Sequence, residues 1–415
     1  MLHQLVVNRD NKKRALGSLF ILLLSMQKSS LFIVITFVVL IFLFSQVSLL
    51  NNFSYIFQAK IILVLSLSIS VLTRVDVPAQ KKNTINKKRI KYKLTTLILI
   101  YLILIVFSFI MASLFNESSY FDFSIDALIA LPIYLIIMCI WTVYVDRKQD
   151  NPEDIYFNFG RDLYAGNIKL KKYKVLILST CIKMLFIPLM YAFSIKSISI
   201  VLNFNNILEN PLFFINYLFF FGICIDVTIA LGGYLFSSTL LNNEVISVDD
   251  SWLGWLVCLI CYPPFVIIYR FFTEQVDNYI WSDWLRMDTP LYWLWAFLIT
   301  ITWITYWFST FNLGFKFSNL SWRGLVNTGL YRYMRHPAYF SKNVYWWLHT
   351  VPFFGVMGLD MLRNFLALSF VSLIYYLRAK TEEKHLLKFK EYQEYYTWIE
   401  KNGLWAKIKK KFKKL

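Results

Sequence analysis

LTTLILIYLILIVFSFIMASLF, Leu94 to Phe115, runs for 22 residues without a charged side chain. A helix needs about 20 predominantly apolar residues to cross the hydrocarbon of a bilayer. Inside that hydrocarbon only helices and closed barrels satisfy every backbone N–H and C=O. The stretch therefore predicts a membrane-spanning helix, and its neighbours repeat the pattern. Apolar runs near residues 30–50, 55–73, 94–115, 125–145, 174–195, 212–236, 252–272, 290–313, 344–358 and 361–377 predict an all-α, polytopic helical membrane protein of about ten transmembrane helices. The last two runs are short, and Pro352, Gly355 and Gly358 fall between or within them, which predicts a tight helical hairpin. With 58% of 415 residues hydrophobic and only 16% charged, the composition excludes a soluble globular class.

The net charge of +18 is distributed by loop, which is a signature of topology and argues against a nucleic-acid partner. Eight Lys/Arg lie between Arg74 and Lys93, twelve from Arg378 onward, and none between Asn116 and Ser124. With the N-terminus inside (Arg9, Lys12, Lys13, Arg14), ten crossings bring 74–93, 146–173, 314–343 and the tail to one face, so both termini are predicted cytoplasmic. The segment 237–250 is expected on that face too, yet it carries Glu244, Asp249 and Asp250 and no positive charge. The apolar run Leu19 to Met26 ends in Gln-Lys-Ser-Ser without a small-residue cleavage site, which predicts a retained N-terminus.

Cys139, Cys181, Cys224, Cys258 and Cys261 all fall within predicted spans. The C-x-x-C of Cys258 and Cys261 has no second pair and no nearby histidine, so these are read as small packing residues. The four histidines, His3, His336, His349 and His385, have no ligand spacing on one helix, so no metal is expected. Some ionisable residues stand within the earlier spans. Lys183 and Arg270 are long enough to snorkel to an interface, whereas Asp226, in FFFGICIDVTIALGGYLF, is too short. Asp226 is either a hydrogen-bonded packing residue or part of a substrate pocket; Gly232 and Gly233 beyond it predict close helix packing or a bend.

Nothing repeats at a period of about 20 to 50 residues, and no Gly/Ser linker cuts the chain. Its character still changes near residue 314. Residues 1–313 form an N-terminal transmembrane region of about eight helices; residues 314–415 form a module of loop, hairpin and amphipathic basic tail, where the chemistry is expected.

Two elements of that module stand out. In NTGLYRYMRHPAYFSKN, Asn327, Thr328 and Gly329 predict a turn; His336 before Pro337 is biased away from the helical region, and Pro337 suits the first turn of a new helix. A helix N-terminus flanked by Arg332, Arg335 and Lys342 suits an anionic group at the membrane surface. A positive-inside loop with an aromatic belt accounts for the same residue types. The second element is YYLRAKTEEKHLLKFKEYQEYYTWIEK, Tyr375 to Lys401. Arg378 and Glu382 are spaced i,i+4 and predicted to share a face and pair, with His385 a turn further. Leu386, Leu387, Phe389, Tyr392, Tyr395, Tyr396 and Ile399 predict an apolar side lying along the inner membrane surface. Glu382 and Glu383 stand where basic residues would suffice as an anchor, so they either bind a ligand or pair with the arginines of the loop.

Together the two elements resemble the isoprenylcysteine carboxyl methyltransferase and phospholipid methyltransferase family of integral membrane enzymes. GLYRYMRHPAYF is similar to that family's Gly-x-Tyr-x-x-x-Arg-His-Pro-x-Tyr pattern, followed by Arg378-x-x-x-Glu382-Glu383 and the Glu391-Tyr392, Glu394-Tyr395 tail. The resemblance covers about residues 314–400. It implies an S-adenosylmethionine site between loop and tail, open to the cytosol. By the same resemblance Tyr331, Arg335, His336, Pro337 and Tyr339 would shape the cofactor pocket, Glu382 and Glu383 would hold its polar groups, and Arg378 and Glu382 would be the catalytic pair. Where many members carry glycine after the last tyrosine, this chain has Phe340, Ser341 and Lys342. Arg332, Lys342 and Asp226 are the candidate substrate contacts.

The implied activity is methyl transfer to a lipid or isoprenoid-linked acceptor, a carboxylate or an amine, at the cytosolic membrane face. Nothing in the sequence sets the oligomeric state. Sterol and steroid reductases, with a nicotinamide cofactor and an Arg-His-x-x-Tyr loop, are one alternative; Pro337 and the Glu-Glu plus Glu-Tyr tail point away from them. A transporter or scaffold is another, but no interrupted pair of segments related by a repeat is visible.

Overall fold

The computed structural model describes residues 27–46, 53–74, 83–204, 211–277, 279–353 and 355–413. The expectation of a retained N-terminus therefore lies outside the described residues, as does part of the 74–93 loop. The chain is almost wholly helical, as the apolar runs require. Helices α1 (Lys28–Gln46), α2 (Tyr55–Arg74), α3 (Lys87–Phe115), α4 (Ser118–Lys148), α5 (Ile155–Tyr164), α6 (Lys174–Leu202) and α7 (Pro211–Leu235) build the N-terminal part. Their buried faces share one core of Ile33, Phe37, Ile62, Leu104, Phe186, Ile198 and Tyr234.

Among the described residues, six helical segments are long and apolar enough to cross a membrane: Tyr55–Thr73, Lys87–Phe115, Ser118–Lys148, Leu170–Leu202, Phe213–Leu235 and Pro290–Lys316. Lys28–Phe44 is apolar but shorter. The remaining differences from the ten predicted runs have local causes. The run at 252–272 is divided into α8 (Trp252–Leu259) and α9 (Val266–Thr273), with Pro263 and Pro264 between them, where proline cannot continue a hydrogen-bond ladder. After α10 (Trp281–Trp284) and α11 (Pro290–Leu313) comes the expected hairpin, α12 (Pro337–Thr350) and α13 (Leu359–Leu386). Its turn holds Pro352, Gly355 and Gly358, both glycines at positive φ. The tail does not run on as one helix. It breaks into α14 (Lys390–Asn402) and α15 (Leu404–Phe412) and folds back against the 321–335 loop through Trp322, Leu386, Tyr392, Tyr395 and Ile399.

The C-terminal module is keyed to the end of α7. Phe315 is fully buried in the N-terminal core and packs on Phe236. A Cβ on Gly232 would fall 2.4 Å from the Phe315 ring, and one on Gly233 only 2.2 Å from the Phe317 carbonyl oxygen, so both glycines serve close packing. Buried Arg323 donates to the carbonyls of Phe236 (3.2 Å) and Asn243 (3.1 Å). Two short strands, β1 (Ser247–Val248) and β2 (Ser321–Trp322), pair antiparallel with Ser247 opposite Trp322. This joint carries the segments that line the cavity described next.

Candidate functional site

α12 begins at Pro337 with His336 as its N-cap, as the His-Pro step predicts. Gly329 stands at φ +57°, and a side chain there would meet Asn312 at 2.2 Å, so the turn before the motif demands glycine twice over. From this start α12 sends His336, Tyr339 and Lys342 into a cavity between the motif loop and α13. α13 faces them with Arg378, Glu382 and His385, spaced four and three residues apart on one helical face. Asp249, Cys258 and Tyr262 close another side, with Tyr306 from α11 and Asn319 before β2. The space not occupied by atoms is about 950 Å³, part of it open to solvent.

Arg378 and Glu382 share a face but do not pair. Arg378, 8% exposed, donates to Asn319 Oδ1 at 3.0 Å, and its guanidinium lies 5.2 Å from the Tyr339 ring and 5.8 Å from that of Tyr262. Asn319 is itself fixed by Tyr234, whose hydroxyl accepts from Asn319 Nδ2 (2.8 Å) and from its backbone N–H (3.1 Å). Glu382 accepts instead from the Tyr339 hydroxyl at 3.0 Å. Lys342 holds its ammonium 4.1 Å from the Tyr306 ring centre, and Tyr306 donates to Asp226 Oδ2 at 2.6 Å. Asp226 is 6% exposed, outside the lining, and its Oδ1 has no hydrogen-bond partner.

Glu383 points away from the cavity into a clasp between loop and tail. Its carboxylate meets Arg335 Nε at 2.8 Å, His336 Nε2 at 3.1 Å and Lys380 Nζ at 3.1 Å. Burial alone would push this carboxyl up; the hydrogen bonds from His336 and Lys380 and the charge of Arg335 outweigh it and hold it down at about 2. Arg335 also bridges to Glu400 and stacks 4.0 Å from the Tyr396 ring, and burial, which would lower its pKa, is overcome by these acids. Tyr395 donates to the Tyr331 carbonyl at 2.6 Å, and Leu404 N–H to that of Tyr333 at 2.8 Å.

Of the residues singled out from sequence, Tyr331, Arg335, His336, Tyr339, Lys342, Arg378 and Glu382 meet at the cavity. Pro337 and Glu383 stand behind it, and Arg332 is exposed outside it. Residues 296–388 match the model of the Isoprenylcysteine carboxyl methyltransferase (ICMT) family. No curated protein and no solved structure matched the chain. The ICMT match begins inside α11 and ends just after α13, so it spans the motif loop, the hairpin and both glutamates. This chain is a polytopic membrane protein whose residues 296–388 are similar to a methyltransferase family.

Asp249, Cys258 and Tyr262 lie outside the ICMT match yet line the same cavity. Sequence reasoning passed over Asn319, Tyr262 and Tyr306 because polar and aromatic residues beside apolar runs are ordinary interface residues. Asp249 did carry a signal: an acidic loop on the face where basic residues are expected.

Proposed function

We propose that the protein transfers a methyl group from S-adenosylmethionine to a lipid or isoprenoid-linked acceptor, a carboxylate or an amine, at the cytosolic membrane face. One observation carries the reading: the RHPxY loop and the Arg378–Glu382 face of α13 converge on one cavity that offers a carboxylate, a buried guanidinium and several tyrosine rings. These groups suit both halves of the reaction. Glu382 and the faces of Tyr262, Tyr306 and Tyr339 suit a positively charged ligand. Among the described residues Arg378 has no carboxylate within ion-pair distance, and a buried guanidinium of that kind suits an anionic group.

S-adenosylmethionine supplies, when bound, a methyl group activated on a sulfonium. Displacement at that carbon asks of the protein alignment and exclusion of water. In this reading Arg378, held by Asn319, orients the acceptor, and the tyrosine walls keep the reacting atoms dry. A carboxylate acceptor is already ionised and needs no base; an amine acceptor would give its proton to Glu382. Lys342, at the Tyr306 side of the cavity, is suited to an anionic head group, with Asp226 behind it. Arg332 is suited to the lipid surface. Glu383 and Pro337 shape the pocket from behind.

Calorimetric titration of the detergent-purified protein with S-adenosylhomocysteine tests this. Saturable binding to the wild type, lost in a folded Glu382→Ala variant, is expected. Failure of the folded wild type to bind would overturn the reading.

A further inference from the structure

We propose that Asp249 and His385 form a polar subsite of the cavity that accepts a hydrogen-bond donor of the S-adenosyl ligand, a hydroxyl or an ammonium. The proposal rests on the methyltransferase reading and extends it to a residue outside the ICMT match. Asp249 is 4% exposed and His385 3% exposed, and both line the cavity. Among the described residues, Asp249 Oδ2 and both ring nitrogens of His385 are buried without a hydrogen-bond partner. Leaving a buried polar atom unpaired costs roughly 1–3 kcal/mol, more for a charged group. Three such atoms on two residues lining one cavity are therefore either a defect or a site waiting for its polar ligand.

The surrounding backbone argues for a built site. The Asp249 N–H donates to the Leu320 carbonyl at 2.7 Å, extending the β1–β2 pair, and Trp255 Nε1 donates to the Asp249 carbonyl at 2.7 Å. Its Oδ1 accepts from the Ser251 N–H at 2.9 Å, which leaves Oδ2 as the free oxygen. Gly254, also in the lining, clears the space: a Cβ there would stand 2.2 Å from Asp249 Oδ2. His385 lies on the same face of α13 as Glu382, so the acidic side of the cavity continues from the family motif onto the N-terminal region. A carboxylate oxygen and an imidazole lining one cavity suit ribose hydroxyls, as acidic residues do in other nucleotide sites, or the ammonium of the amino-acid half.

The test is calorimetric titration of the purified full chain with S-adenosylhomocysteine and with 5′-methylthioadenosine, which keeps base and ribose but lacks the amino-acid half. The variants are Asp249→Asn, which keeps the oxygen bonded to Ser251, and His385→Gln. Expected is a weakening of roughly tenfold to a hundredfold for S-adenosylhomocysteine. An equal loss for methylthioadenosine identifies the donor as a hydroxyl, and a loss confined to S-adenosylhomocysteine identifies it as the ammonium. The ligand-free melting temperature of Asp249→Asn should equal or exceed the wild type's, because an unpaired buried charge is removed; a fall would mark a merely structural role and overturn the proposal. Unchanged affinity in both variants, with the Glu382→Ala loss intact, overturns this subsite and spares the methyltransferase reading. If the folded wild type binds neither ligand, both fall.

Discussion

Glu382 and Glu383 are adjacent in the chain and face different ways, with His336 between them. A helix turns about 100° per residue, so Glu382 faces the cavity and the Tyr339 hydroxyl while Glu383 faces Arg335, His336 and Lys380. The sequence offered ligand binding and an internal clasp as alternative explanations for the pair; Glu383 is in the clasp, and Glu382 is left facing the cavity. Two predictions separate them. Glu383→Ala leaves Arg335 with Glu400 alone and takes the nearest carboxylate from His336, and should cost about 1–3 kcal/mol of stability, read by thermal melts. The pH dependence has a definite sign. The Glu383 carboxyl is depressed to about 2 in the fold from an ordinary value of about 4.3, so its stabilisation is present above pH ~4.3 and is lost as pH falls towards 2. Wild-type melting temperature should drop more steeply than that of Glu383→Gln across this window; parallel curves would contradict the clasp. Arg378 and Glu382 show where spacing stops being informative. The i,i+4 interval gives a shared face, but Asn319 and Tyr339, from elsewhere in the chain, decide the partners.

At the scale of elements, the hairpin was legible because Pro352, Gly355 and Gly358 interrupt an apolar run, and prolines at 263–264 explain why the run at 252–272 yields two short helices. The fold-back of the tail was not legible. An apolar helical face reads alike whether it lies on a bilayer or packs on Trp322 and the loop. Within the hairpin, Trp347 Nε1 donates to Ser372 Oγ at 2.9 Å and Ser372 donates to Asn343 Oδ1 at 2.8 Å. Ser372→Ala removes both bonds and should lower stability by about 1 kcal/mol, the scale of interhelical hydrogen bonds in membranes. A larger effect is expected at the α7 joint. In Gly233→Ala the new methyl would force back the Phe317 carbonyl, 2.2 Å away, and with it the segment carrying Asn319. Loss of about 2 kcal/mol or more, with weakened S-adenosylhomocysteine binding, would be seen in paired melts and titrations; unchanged binding would show that the joint does not position the site.

For the whole molecule, composition was sufficient for the class, since apolar runs of this length have few alternatives to crossing a membrane. Six of the runs are long and apolar enough by themselves among the described residues; the run at 252–272 is divided at its prolines and the last two are the arms of a hairpin. What the sequence concealed is that Asp249, before α8, and the face of α13 line one cavity, because residues brought together from distant segments leave no periodic trace. The positive-inside pattern predicts a sidedness that labelling can check. A cysteine introduced at Glu117 should react with an impermeant maleimide on intact cells, and one at Lys401 only after permeabilisation; the reverse pattern would move the cavity to the outer face. The central claim is methyl transfer into the membrane, and the most direct measurement supplies methyl-tritiated S-adenosylmethionine to membranes containing the protein and counts the solvent-extracted lipid. Label is expected in the lipid fraction with wild-type protein and only background with Glu382→Ala or Arg378→Ala. Background counts with folded wild-type protein, or equal counts with both variants, would contradict it.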